Sequence, residues 1–121
     1  MRLNGGFTPD PASVSLTAGG SQEVQLGECN YGHVATAPDV DLYYQGNASR
    51  TLYIYAQADE DITLLVNLPD GSWACNDDGL GGTNPLIVVH NAPSGLYDVW
   101  VGSYGTGMVR AALKISEIDP R

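Results

Sequence analysis

The chain has 121 residues, fourteen of them Asp or Glu against five Lys or Arg, and a net charge of −9. That balance excludes nucleic acid and a bare anionic membrane surface, since both need a basic stripe, and it favours divalent cations as partners. Only 16% of residues are charged and 43% are hydrophobic, so this is a folded acidic domain and not a disordered tail.

Residues 1–12 are rich in Gly and Pro, with Thr8-Pro9-Asp10-Pro11, and read as an extended N-terminal arm. Ser13 to Thr17 alternates with period two, and Gly19-Gly20 turns the chain towards Glu23 to Leu26, which makes a candidate hairpin. Residues 27–38 read as a loop. Val40 to Gln45 and Thr51 to Gln57 are strong strands, and in the second Leu52, Ile54 and Ala56 share one face. Ile62 to Asn67 follows an acidic turn, Pro69-Asp70-Gly71 is a turn by backbone geometry, and Ser72 to Cys75 is a return strand. A Gly/Asp loop over 76–84 leads into Leu86 to Val89, then Leu96 to Val101, then Met108 to Ile118. The last segment alternates at Val109, Ala111, Leu113 and Ile115, so it is a strand and not a helix.

The expected architecture is an all-β, antiparallel β-sandwich of jelly-roll type with about nine strands, one domain over residues 13–121. No stretch reaches the ~18 apolar residues of a membrane span. Met1 to Gly6 lacks the apolar region of a signal peptide, so the expectation is a mature form, a trimmed chain, or a protein not exported by that route. Asn47-Ala48-Ser49 fits a glycosylation sequon.

Cys29 and Cys75 lie 46 positions apart with no CxxC spacing, which excludes a zinc ribbon or thioredoxin-type motif. Either they pair or they are two small buried hydrophobes. Both flank acidic, turn-rich stretches where a bridge between loops fits, so a disulfide and an oxidising compartment are expected.

Four segments occur in order: Asp39-Val40-Asp41-Leu42-Tyr43, Leu64 to Gly71, Asn76-Asp77-Asp78-Gly79, and Gly95-Leu96-Tyr97-Asp98-Val99. In this order they resemble the bacterial pre-peptidase C-terminal domain family, over about two thirds of the chain. Residues 73–78 and 97–102 also resemble a variant at the ends of secreted bacterial proteins, some labelled serine peptidases. The resemblance implies a secreted, non-catalytic β-sandwich, often calcium-binding and often appended to an exported enzyme. No catalytic label passes to a module without a catalytic constellation.

Calcium takes six to eight oxygens. Asp39 and Asp41, two apart at a strand entry, point to one side; Asp77 and Asp78 sit in a Gly-rich loop, and Asn76 adds a neutral oxygen. These five are the expected metal ligands, with Glu28 and Asp98 as further candidates. In the resembled family the Asp-x-Asp strand and the Asn-Asp-Asp loop are neighbours, and a Cys29–Cys75 bridge would draw the same segments together. The competing reading makes these acids solvated turn residues.

His33 and His90 are isolated, and no Gly-x-Ser-x-Gly elbow is present, so no enzyme activity is expected. Trp73, Trp100 and the tyrosines fill the core or cover a sheet face; alternatively, they offer sugar-stacking surfaces, with Tyr31, Tyr44 and Tyr104 as the exposed members. The functional expectation is a secreted or cell-surface calcium-binding sandwich acting in binding or extracellular assembly. Its rivals are a homo-oligomer or filament built through the N-terminal arm, and a glycan-binding module.

Overall fold

Alternation decides which face of each strand is buried, and the strands sort accordingly into two sheets. The computed structural model describes all residues from Met1 to Arg121. Eleven strands and no helix form: β1 (Arg2–Asn4), β2 (Ala12–Ala18), β3 (Gln22–Glu23), β4 (His33–Val34), β5 (Val40–Gln45), β6 (Leu52–Gln57), β7 (Ile62–Asn67), β8 (Trp73–Asn76), β9 (Leu86–Val89), β10 (Gly95–Ser103) and β11 (Val109–Ser116). A seven-stranded sheet carries β1, β5, β10, β4 and β3 on one path, with β7 and β8 on the other side of β10; a four-stranded sheet runs β2-β11-β6-β9. Every pairing is antiparallel except β1 with β5. The fold is an antiparallel β-sandwich.

The core is what the period-two reading selects. Leu42, Leu64, Val66, Tyr97, Val99 and Val101 of the larger sheet meet Leu52, Ile54, Ala56, Leu113 and Ile115 of the smaller one. Burying such side chains supplies the main stabilisation, at roughly 1.5–3 kcal/mol each. Tyr97 is fully buried, and its hydroxyl donates to the Pro93 carbonyl at 2.7 Å.

Two local expectations are corrected. The Ser13–Thr17 and Glu23–Leu26 segments do not form a hairpin: β2 pairs with β11, whereas β3 pairs with β4. The reason lies at Gly19-Gly20. Gly19 takes φ +105°, and a Cβ on Gly20 would sit 2.3 Å from the Val34 backbone, so the chain leaves the small sheet and crosses tightly onto the large one. The 27–38 loop contains the short strand β4, which adds to the end of β10. Within the extended arm, Arg2, Leu3 and Asn4 pair in parallel with Tyr43, Tyr44 and Gln45 of the same chain.

Residues 20–38 therefore form a strap across the outer face of the large sheet. Val24, Cys29 and Val34 from the strap bury Leu65 and pack against Cys75 and Trp100, a second small core outside the sandwich. A Cys29–Cys75 disulfide, with Cα atoms 5.8 Å apart, fastens the strap to β8. The bridge fits a non-reducing environment. No helix is long and apolar enough to cross a membrane.

Candidate functional site

The register places the outward side chains of the large sheet in rows. Arg2, Tyr43 and Leu96 form one row, and Asp41, Asp98, Asn67 and Trp73 form the next. In the third row Trp100, Leu65 and Cys75 lie under the strap. Residues of one row alternate with core residues along each strand, as the pleat requires.

The expected metal ligands fall into two separate places. Asp39 and Asp41 belong to the β5 entry, while Asn76 ends β8, and β10 and β7 intervene. Three strand spacings amount to about 14 Å, against the 2.3–2.6 Å of a calcium–oxygen bond. No group of three or more His, Cys, Asp or Glu is arranged to hold a metal ion. Two of the candidate oxygens are already occupied. Asp39 Oδ2 accepts the Val101 N–H at 2.8 Å, and burial pushes its carboxyl above the usual range. Asn76 Oδ1 accepts the N–H groups of Asp78, Gly79 and Leu86 at 3.1, 2.6 and 3.0 Å, so it organises the loop. The five residues do not fit one calcium ion. The disulfide does not unite them because Cys29 reaches β8 from the strap, not from β5.

What the structure does bring together differs. Asp98 stands directly opposite Asp41 across β5 and β10. Its carboxyl is raised, first by burial and then by the hydrogen bond and charge of Asp41. At the far end of the sheet, Asp77 is raised by burial and then by the charges of Asp78 and Asp61. Tyr31 is raised by burial and then by Asp77 and Asp78, and its ring stacks on Tyr104 at 6.5 Å. Glu28 is exposed on the strap.

Among the aromatics, Tyr31 is half-buried and Tyr104 exposed, but Tyr44 is buried, with its hydroxyl donating to Glu117 Oε2 at 2.6 Å. Tyr44 lies inward because it shares the parity of Leu42, which the sequence already carried. Trp73 is 40% exposed and its ring lies 5.5 Å from that of Trp100. The two rings line a cleft of about 300 Å³ with the strap residues, Val24, Leu26 and Val34 among them. The sequence placed both tryptophans on strands, in the core or on a sheet face, and carried no sign that a strap would wall that face. His33 lies on β4, its buried Nδ1 without a partner, and His90 is exposed on the other sheet's edge loop.

No protein-family model matches the chain, and a search of the curated proteins returns no match.

Proposed function

We propose that the chain is a non-catalytic binding module of a secreted or cell-surface protein, and that it takes a glycan on the outer face of its larger sheet. The observation that carries this reading is the Trp73–Trp100 pair, half open to solvent at 5.5 Å, on the face that also presents Asp41, Asp98 and Asn67 in one row. Flat aromatic rings suit the apolar faces of pyranoses, and they bind at low entropic cost when held rigid. Carboxylates accept, and amides both donate and accept, hydrogen bonds from sugar hydroxyls. The strap and its disulfide hold Trp100 fixed and form one wall of the cleft.

Titration of neutral oligosaccharides into the oxidised chain, read by tryptophan fluorescence, tests this. Saturable binding that Trp73→Ala removes while the fold is retained supports the reading. The absence of binding across the panel, or binding indifferent to Trp73, overturns it.

A second reading keeps calcium, at the loop end where burial and then the charges of Asp78 and Asp61 raise the Asp77 carboxyl, with backbone carbonyls of the Gly-rich loop completing a shell that the carboxylates alone do not form. A divalent ion there would relieve like-charge repulsion and raise stability by mass action. A melt in excess calcium that matches the melt in excess chelator removes it.

A further inference from the structure

A polar groove at the opposite end of the sheet has a different chemistry from the tryptophan face. A cavity of about 440 Å³ is lined by Asn4, Gly5, Gln45, Gly46, Asn47 and Arg50, with no apolar side chain among them. It runs through the shared residues Asn4, Gln45 and Gly46 into a second hollow of about 670 Å³ beneath Arg2 and Tyr43. Two of the chain's five basic residues thus border one groove in a protein of charge −9.

The guanidinium of Arg50 is held in place by buried chemistry. Its Nη1 donates to Glu117 Oε1 at 3.4 Å, and the Glu117 side chain is only 7% exposed while that of Arg50 is 48% exposed. Glu117 is fixed in turn by the Gly6 N–H at 2.8 Å and the Tyr44 hydroxyl at 2.6 Å. The guanidinium lies across Gly5, where a Cβ would come within 3.1 Å of Arg50 Nε. A guanidinium has five N–H donors in a fixed fork, and Arg50 commits one edge to Glu117, leaving donors towards the cavity. The groove wall is equally built: Ser94 Oγ accepts the Gly46 N–H and donates to the Gly46 carbonyl, both at 2.9 Å. A Cβ on Gly46 would lie 2.9 Å from the Tyr44 ring, so the wall there is bare backbone.

We propose that this groove binds a carboxylate-bearing glycan, with the free edge of Arg50 receiving a sugar carboxylate. Planar, charge-assisted recognition is what a fixed guanidinium does best. The amides of Asn4, Gln45 and Asn47 serve ring hydroxyls in the first hollow, which no apolar side chain lines, while Tyr43 and Leu96 in the second give an apolar ring face somewhere to rest. Arg2, whose guanidinium rests over the Tyr43 ring at 4.6 Å, lies about 7 Å from Asn4 along β1 and meets a second carboxylate of the same glycan. The site is separate from the tryptophan face and does not rest on it.

The test is calorimetric titration of the full oxidised chain with oligogalacturonate and with the neutral galacto-oligosaccharide of equal length, both in chelator so that no calcium bridges them. The uronate binds and the neutral oligomer binds about tenfold more weakly or worse, and Arg50→Gln lowers uronate affinity by about tenfold. Arg2→Gln lowers it less, and Trp73→Ala leaves it unchanged. Should Arg50→Gln unfold the knot around Glu117, Asn4→Asp replaces it: a carboxylate added to the cavity repels the ligand without touching Glu117. Equal affinity for the two oligomers, no binding of either, or uronate binding that Asn4→Asp leaves intact overturns the proposal.

Discussion

Asp98 and Asp41 face each other across two strands, an arrangement that costs stability when both are charged. The raised Asp98 carboxyl means that the folded state holds its proton more tightly than the unfolded chain does. This contribution to stability is fully present below the ordinary carboxylate value of 3.8 and is lost as pH rises through the raised value. At neutral pH, Asp98→Asn is therefore expected to stabilise the fold by a few tenths to about 1 kcal/mol, with solvent screening keeping the gain small. Denaturant unfolding of both proteins at neutral and mildly acidic pH checks it; a variant less stable at neutral pH contradicts the pairing. Tyr44→Phe removes the hydroxyl that donates to Glu117 and leaves a buried carboxylate oxygen without its donor. A loss of about 1.5–3 kcal/mol is expected in the same measurement, and none if Glu117 is solvated.

The strap and the arm are the two elements whose removal tells most. The disulfide closes a separation of 46 residues, which the chain-entropy estimate values at about 4 kcal/mol. Replacing Cys29 and Cys75 by Ala is expected to lower stability by about that much and to change the fluorescence of Trp100, because the small core of Val24, Val34 and Leu65 loses its fastening. Unchanged fluorescence would show that the strap holds without the bridge. The arm covers the edge of β5, with its Met1 carbonyl accepting the Tyr43 N–H at 2.8 Å and its Gly5 N–H donating to Gln45 at 2.8 Å. Exposed edges invite pairing with other chains. Deleting residues 1–6 is therefore expected to lower the melting temperature and raise self-association, measured by light scattering. The opposite result, a full chain that assembles and a truncated chain that does not, would favour assembly through the arm.

On the scale of the whole molecule, the parity of apolar residues was enough to read the sandwich, its core and most strand positions, because a one-residue slip would expose every core side chain. The disulfide was legible as one of two readings of Cys29 and Cys75. What parity could not give was lateral order. Asp39 at a strand entry and Asp77 in a Gly-rich loop were both visible as acids, but which strands separate them depends on β10 and β7 standing between β5 and β8, a long-range arrangement no local signal carries. The path of the strap was hidden for the same reason: it depends on Gly20 meeting the Val34 backbone, a contact between loops. Trp73 and Trp100 were visible as aromatics on strands, but their half-open cleft exists only once the strap is in place.

The proposed binding surface is the outer face of the larger sheet, centred on Trp73 and Trp100. The most direct measurement is a fluorescence titration of the oxidised chain against a panel of neutral oligosaccharides, repeated with Trp73→Ala. Saturable binding to at least one oligosaccharide, lost in the variant while the thermal melt stays cooperative, is the expected result. A panel with no saturable binding, or one whose binding survives Trp73→Ala unchanged, contradicts the claim.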